Sequence, residues 1–215
     1  MRTNKKIEKW KKWLENISHE VSDLVTSRSI YYKFRQIVTD NSRINTGNHF
    51  FYWVETNYIC TILMGIRRQI DNHSDAVSLK KLLSDMKDNC SLLSRELHLY
   101  NYNEQMKDLG NRTFDSLAGE AINVFPIERL EQDIQKLEDI SILHKTYIDR
   151  RIAHYDKVPP IKALGTLQAL YDAISNFEEI LSRYSLLINA RGIELLPPDE
   201  YDWKAIFRQA WISDI

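Results

Sequence analysis

The chain has 215 residues, of which 43% are hydrophobic and 27% charged, and its formal net charge is -1. This length and balance predict one folded domain with a substantial core and exclude a wholly disordered chain. A net charge near zero excludes a basic field over the whole surface of the kind that attracts nucleic acid. The longest apolar run, residues 59–66, is too short to span a bilayer, and the N-terminus lacks the apolar run of a signal peptide. We therefore expect a soluble cytoplasmic protein without membrane contact.

Charge is unevenly distributed along the chain. Residues 1–43 hold ten Arg and Lys against five Asp and Glu, whereas residues 192–215 hold two against five. One interpretation is therefore that the basic first segment, with Lys5, Lys6 and Lys9, forms a local surface that binds RNA.

Six glycines and five prolines leave few positions for tight turns, and no segment has the alternating pattern of a strand. We therefore predict an all-α protein, a bundle of about five to six helices over residues 1–191. Residues 192–215 form a tail that we expect to dock on the bundle as a short helix, because Trp203, Ile206, Phe207 and Trp211 give it an apolar side.

The first predicted helix covers about residues 4–40. Its apolar residues recur at intervals of three and four, with a weak point near residues 26–29. After a loop at residues 42–50, a second helix over roughly 48–72 is apolar on nearly every side, which predicts a buried central helix. Glu55 lies inside this helix, and we expect an arginine as its partner because a buried carboxylate needs one.

The third predicted helix begins at Ser78, whose hydroxyl can cap free backbone N–H groups, and runs to about Tyr100. Residues 101–125 predict a weaker helix with polar ends. Pro126 fits the first turn of a long helix that continues to Tyr155.

The last long helix is predicted over about residues 161–190. It follows a stop at Pro159 and Pro160, since proline lacks the N–H donor that a helix requires. Gly192 is the expected C-terminal cap of this helix.

The end of the long helix before that stop carries an unusual cluster, "YIDRRIAHYDK", at residues 147–157. Residues three and four apart share a helix face, so Arg150 and Arg151 both lie beside His154, and Tyr147 lies one turn further back. Histidine titrates near neutrality and can act as acid or base, and arginine forks onto phosphate oxygens. These groups fit metal-independent cleavage of RNA by its own 2′-hydroxyl, which needs positive charge near the phosphorane.

The same cluster also has a structural interpretation. Arginine and histidine near a helix C-terminus interact favourably with the helix dipole, and either arginine could pair with Glu55 or Asp71. A second basic element, "IRRQID" at residues 66–71, is open to the same two interpretations. Arg67 and Arg68 either add positive charge to the site, or Arg67 pairs with Asp71 four residues further on.

Other motifs carry less information. "IYYKFRQ" at residues 30–36 interleaves aromatic and basic residues as some single-stranded RNA binders do, but core packing of Tyr31 and Phe34 is the favoured explanation. Cys60 and Cys90 lack C-x-x-C spacing and are interpreted as reduced thiols. The histidines lack paired metal spacing and no glycine-rich phosphate loop occurs, so neither a metal nor a cofactor is expected.

In the order of its sequence blocks, the chain resembles the HEPN superfamily, and most of all its abortive-infection U-type branch. The resemblance covers about residues 45–190 and rests on "FFYWVETNYICTILMGIRRQID", then "SLKKLL", then "DRRIAHYD". In the last block, Asp156 completes a pattern of the "AHxD" type.

The resemblance implies a helical bundle that commonly forms a homodimer, and a metal-independent endoribonuclease from phage defence or a toxin–antitoxin system. It implies RNA as the substrate, with an antitoxin or another protein as a further partner. It assigns His154 as the acid or base and Arg150 or Arg151 as the phosphate clamp. The supporting residues that we expect at this site are Tyr147, Asp149, Asp156, Arg67, Arg68 and Glu55.

The chain departs from the family signature at the arginine. In the signature, four to six residues separate the arginine from the histidine, which here would place it at Asp149, Ile148 or Tyr147. Arg150 and Arg151 leave only three and two residues before His154. Two hypotheses therefore stay open: an active nuclease with a displaced arginine, or a degenerate module that binds a protein partner or a nucleotide.

Overall fold

The structure, a computed structural model, describes residues 2–147, 166–193, 195 and 202–208. Within these residues the protein is all-α, as predicted, and the only β-type pairing is an isolated bridge between Ser94 and Val124. The described α-helices are α1 (Arg2–Asp40), α2 (His49–Gln69), α3 (Leu79–Lys87), α4 (Arg95–Leu99), α5 (Lys107–Ala118), α6 (Ile127–Tyr147) and α7 (Leu167–Asn189). Short 3₁₀ turns cover Cys90–Leu92, Glu104–Met106 and Trp203–Arg208.

Helix α1 runs the length of the bundle. It has 39 residues and is therefore roughly 58 Å long. Its predicted apolar stripe is buried against the other helices, and the stripe consists of Ile7, Trp10, Leu14, Ile17, Val21 and Leu24. The expected break near residues 26–29 does not occur. Arg28 lies in that stretch and bonds to Ser175 and Glu178, which connects this part of α1 to α7.

Helices α2 and α3 lie one after the other along α1, and both run antiparallel to it. Arg68 near the end of α2 pairs with Glu20, whereas Asp85 near the end of α3 pairs with Lys6. At the junction, the side chain of Gln69 accepts a hydrogen bond from the backbone N–H of Leu79.

Helix α6 packs against α3 and α7 and is antiparallel to both. Lys87 and Lys80 of α3 pair with Glu131 and Glu138 of α6, in reverse order along the two helices. Because α3 is antiparallel to α1, α6 runs parallel to α1 and antiparallel to α2. The last turns of α6 therefore run beside α2, towards the N-terminus of α2.

The prediction of a buried second helix is correct only for its C-terminal half. Ile62, Leu63 and Ile66 are buried, and a Cβ at Gly65 would collide with the side chain of Leu24. The N-terminal half exposes large aromatic side chains instead. An apolar pattern on every side predicts burial but cannot distinguish a core from a surface made for a partner.

The predicted third helix is two helices. Ser78 caps α3 as expected, accepting a hydrogen bond from the N–H of Lys81. The helix then ends at Lys87, and Ser94 caps a separate α4 by accepting from the N–H of Leu97. This second serine cap explains why seven α-helices are described where about five to six were predicted.

The ends of the last two long helices confirm one prediction and correct another. Helix α6 begins at Ile127, directly after Pro126. The cap at the end of α7 is Ala190, which has a left-handed backbone with φ of 52°, whereas Gly192 does not have a positive φ. Gly192 does not cap the helix because α7 already ends at Asn189, before the chain reaches the glycine.

The core lies between α1, the α2–α3 pair, α6 and α7, and it is closed at one end by α4 and α5. Cys60 and Cys90 are free and half-buried. None of the described helices is long and apolar enough to cross a membrane.

Candidate functional site

The principal candidates lie outside the residues that the structure describes. These candidates are Asp149, Arg150, Arg151, His154 and Asp156. Tyr147 is the last described residue of α6. The structure therefore defines the scaffold that leads to this cluster, together with the supporting candidates Glu55, Arg67 and Arg68.

A buried ionic network holds α6 against α7. The carboxylate of Asp133, only 2% exposed, accepts from the guanidinium of Arg183 and, at 3.0 Å, from the hydroxyl of Tyr184. Arg183 also pairs with Glu179 at 2.5 Å. Burial works to lower the pKa of Arg183, but the carboxylates of Asp133 and Glu179 outweigh it and raise that pKa. A carboxylate with this many partners fixes the position of α6 along α7.

Sequence reasoning missed Asp133. The available signal was its position on the apolar stripe of α6, between Leu130 and Leu137, both of which are completely buried. An acidic residue at a core position needs a cationic or hydroxyl partner, but the sequence alone cannot identify it as Arg183 or Tyr184, some fifty residues away.

The last turns of α6 pass beside the C-terminal part of α2. Glu138 lies level with Lys80, at the start of α3, where the side chain of Gln69 also meets α3. Tyr147 comes nine positions after Glu138, which is about 13 Å of helix directed towards the N-terminus of α2. Helices α2 and α6 are in contact. Tyr147 therefore lies beside the middle of α2, and α6 leads away from the basic end of that helix.

At that end of α2, the two arginines are ion-paired. Arg67 lies 3.5 Å from the carboxylate of Asp71, and Arg68 lies 2.7 Å from that of Glu20. Burial works to raise the pKa of Asp71, but the backbone N–H of His73 and the Arg67 guanidinium outweigh it and lower that pKa. The predicted pairing of Arg67 with Asp71 is confirmed. Arg68 keeps more than half of its side chain exposed and is accessible to an anion.

Glu55 does not pair with an arginine within the described part of the chain, and that expectation is corrected. Its carboxylate accepts a hydrogen bond of 2.8 Å from the hydroxyl of Tyr31, whose ring stacks on that of Tyr58 with centroids 3.8 Å apart. Glu55 is only half-buried, so a phenol together with solvent satisfies it. Burial and the neighbouring carboxylate raise the pKa of Tyr31, which keeps this phenol protonated.

Two further tyrosines at the junction of α1, α2 and α7 were not singled out by sequence reasoning. The hydroxyls of Tyr58 and Tyr171 are buried beside each other, and neither makes a well-formed hydrogen bond among the described residues. Burial is the main cause that raises the pKa of each phenol. Beside them, Arg28 donates to Ser175 at 2.8 Å and pairs with Glu178 at 2.5 Å. Arg28, Tyr58 and Tyr171 are far apart in sequence, so no local sequence pattern indicates that they form a cluster.

The basic start of α1 is partly neutralised. Lys6 and Lys9 lie 3.0 and 3.6 Å from the carboxylate of Asp85, which also accepts from the indole of Trp10 at 2.7 Å.

In the part of the chain that the structure describes, no three His, Cys, Asp or Glu side chains are grouped as metal ligands.

Comparison with known proteins identifies the family. The sequence model of the AbiU2 family of HEPN proteins matches residues 7–208, which includes almost all of α1, the "DRRIAHYD" block and the turn at Trp203–Arg208. The match is wider than the 45–190 region on which the resemblance rested. No curated protein and no solved structure matches the chain. A match over nearly the whole length shows membership: the chain belongs to the AbiU2 family of HEPN abortive-infection proteins.

Proposed function

We propose that this protein is a metal-independent endoribonuclease of the HEPN type, acting in the cytoplasm during phage defence. His154 is the acid or base, and Arg150 or Arg151 is the phosphate clamp. The observation that carries the proposal is the "DRRIAHYD" block, which follows α6 and lies inside the region matched by the family.

The chemistry requires no group beyond this chain and RNA. His154 takes the proton of a 2′-hydroxyl, and the 2′-oxygen attacks the adjacent phosphorus while the bond to the 5′-oxygen breaks. The leaving 5′-oxygen receives a proton, so the products are a 2′,3′-cyclic phosphate and a 5′-hydroxyl. An arginine fork neutralises the charge that develops on the non-bridging oxygens. A twofold homodimer would bring a second His154 to act as the opposite proton carrier.

The described scaffold supports this assignment in two ways. The buried network at Asp133 gives α6 a rigid position, and catalytic groups need such a support to keep their geometry. The basic end of α2, about 13 Å back along the bundle from Tyr147, carries Arg68, whose exposed guanidinium can contact a more distant phosphate of a bound RNA. Tyr147, Asp149, Asp156, Arg67 and Glu55 are proposed as supporting groups.

A degenerate HEPN module is the second candidate. The observation that favours it is the displaced arginine, since neither Arg150 nor Arg151 stands at the spacing of the signature. In this alternative the same residues stabilise the bundle, and the domain binds an antitoxin, another protein or a nucleotide instead of cleaving RNA.

Cleavage of RNA in EDTA tests the first candidate against the second. We would compare the wild type with His154→Ala and with a matched control, His19→Ala, which removes an exposed histidine of α1. The nuclease predicts cyclic-phosphate ends from the wild type and the control, and a loss of at least about a hundredfold in His154→Ala. Cleavage that survives in His154→Ala contradicts the assignment. No cleavage by any of the three proteins, across several RNAs, favours the binding module.

Arginine variants then identify the clamp. Replacing Arg150 and Arg151 separately by lysine keeps the positive charge but removes the planar fork. The arginine that holds the phosphate is the one whose lysine variant loses activity while the other retains it. Equal, small losses in both variants would mean that neither is the clamp.

A further inference from the structure

A continuous chain of aromatic rings crosses three elements at one end of the bundle. Neighbouring ring centroids lie 5.7 to 6.1 Å apart. The chain begins on α2, passes to the last turns of α1, and ends on the 3₁₀ turn of the tail. We call this surface the aromatic face, and its rings in order are Trp53, Phe50, Phe51, Phe34, Phe207 and Trp203.

The aromatic face is unusually exposed for apolar side chains. Trp53 is 61% exposed and Phe50 50%, while Phe207 is 39% exposed. The adjoining Ile30 and Ile206 are 37% and 51% exposed. With about 200 Å² for each large side chain, these five present on the order of 500 Å² of apolar surface. The largest apolar patch on a typical monomer is about 300–600 Å², and patches of that size are often functional.

The groove in the face is lined by uncharged side chains, and at the tail end of the face the ammonium of Lys204 lies 5.9 Å from the centre of the Trp203 ring. The groove, of about 490 Å³, lies between the rings of the face, and no Asp, Glu, Lys, Arg or His side chain lines it, although 27% of the chain is charged. Its polar lining consists of uncharged groups, such as Ser27, Asn57 and Thr61. A surface that tracks a nucleic-acid backbone needs cations along it, so this face does not suit RNA. It suits an apolar protein surface.

We propose that the aromatic face is the surface through which two copies of this chain pair. A twofold interface brings a patch against its own copy, and a charged patch would then repel itself. An apolar patch with an uncharged groove and a cation only at its tail end meets little of this penalty. The inference adds a specific surface to the homodimer of the proposed function, on which it rests for the role of pairing in catalysis.

The exposed area agrees with what a stable dimer buries. A standard interface buries about 800 Å² on each partner, of which roughly 56–65% is apolar, or about 450–520 Å². The aromatic face offers an apolar area of this size. It also supplies large aromatic anchors of the kind that dominate binding energy, with Trp53 the most exposed of its rings.

The test is the molecular mass of the full chain in solution, measured by sedimentation equilibrium over a range of concentrations without RNA. We expect a species of twice the 25.4 kDa chain mass. Trp53→Glu and Phe50→Glu should each weaken the dimer at least about a hundredfold, because both copies carry the change. The matched control is Tyr100→Glu, which places the same charge on an aromatic residue 87% exposed elsewhere and should leave the dimer intact.

Salt dependence provides a second measurement that needs no variant. An apolar interface should keep its dissociation constant, or tighten, between about 0.05 and 0.5 M NaCl, whereas pairing by charge would weaken. A monomeric wild type overturns the proposal and leaves the face to a different protein partner. A dimer that survives Trp53→Glu, or that dissociates in salt, places the interface on another surface. Failure of RNA cleavage by an intact dimer counts against the nuclease alone.

Discussion

Replacing Asp133 by alanine should destabilise the protein by roughly 4–5 kcal/mol, and this prediction tests the claim that a buried network holds α6. Two losses contribute. The hydroxyl of Tyr184, which is completely buried, would lose the only acceptor that it has among the described residues, at a cost of about 1–3 kcal/mol. Breaking a buried ion pair costs about 3–5 kcal/mol. Arg183, however, keeps Glu179 and has 21% of its side chain exposed, so the lower part of that range applies.

The assay is urea unfolding followed by far-UV circular dichroism, with Asp139→Ala as the matched control. Asp139 lies on the same helix but is exposed and bonds only to Gln135 among the described residues, so its loss should change the stability by less than about 0.5 kcal/mol. Adding Tyr184→Phe should cost at least about 1 kcal/mol less in the Asp133→Ala background than in the wild type. A loss below about 1 kcal/mol for Asp133→Ala would refute the reasoning.

Three further predictions concern backbone, packing and pH. Gly65→Ala should lower the free energy of unfolding by about 1–3 kcal/mol, because the new Cβ would overlap the Leu24 side chain. In a double variant, Leu24→Ala should remove most of the loss caused by Gly65→Ala. Additive losses in urea unfolding would contradict this explanation. Ala190→Gly should stabilise by about 0.5–1 kcal/mol because of the left-handed φ of 52°, whereas Gly192→Ala, with nothing near its Cβ, should be nearly neutral in the same assay. Burial lowers the pKa of His98 in the folded protein below its ordinary value of 6.5. As the pH falls, His98 is therefore protonated in the unfolded chain at a higher pH than in the folded protein. The stability should then fall as the pH drops below about 6.5. Unfolding midpoints between pH 8 and pH 5 should show this slope, and His98→Asn should flatten it; an unchanged slope in the variant would assign it to other groups.

Periodicity predicted the helices well where one side of a helix faces the core along its whole length. The stripe from Ile7 to Leu24 repeats at three and four residues, and all of it is buried. Capping residues also predicted the start of a helix correctly where a single side chain determines it, as Ser78 does at the start of α3. Such features depend on neighbours in sequence, which the sequence displays directly.

Features that depend on distant partners were not predictable in the same way. The break between α3 and α4 competes with an apolar pattern that would continue as a helix, and the Ser94 cap with its bridge to Val124 decides it. Glu55 takes Tyr31 rather than an arginine because the crossing of α1 and α2 brings a phenol to it. The exposed rings of α2 have the sequence pattern of a core helix, and only the three-dimensional structure shows which half of the helix is covered.

The candidate site also combines residues that the sequence pattern identifies with residues that only the folded structure brings together. Sequence patterns singled out His154 and its arginines, and their roles remain predictions because these residues lie outside the described part of the chain. The support for that segment was invisible in the sequence, since Asp133, Arg183 and Tyr184 meet only when α6 packs on α7.

The packing of α1 against α7 has a consequence for synthesis of the chain. Arg28 and Glu178 are 150 residues apart, and Ser22 bonds to the backbone of Leu195, 173 residues later. At about 5–20 residues per second, the ribosome finishes α7 roughly 8–30 seconds after it makes the partner surface on α1. During that interval the stripe of α1 lacks α7, and the bundle is incomplete. The bundle therefore becomes complete only after α7 and Leu195 have been translated.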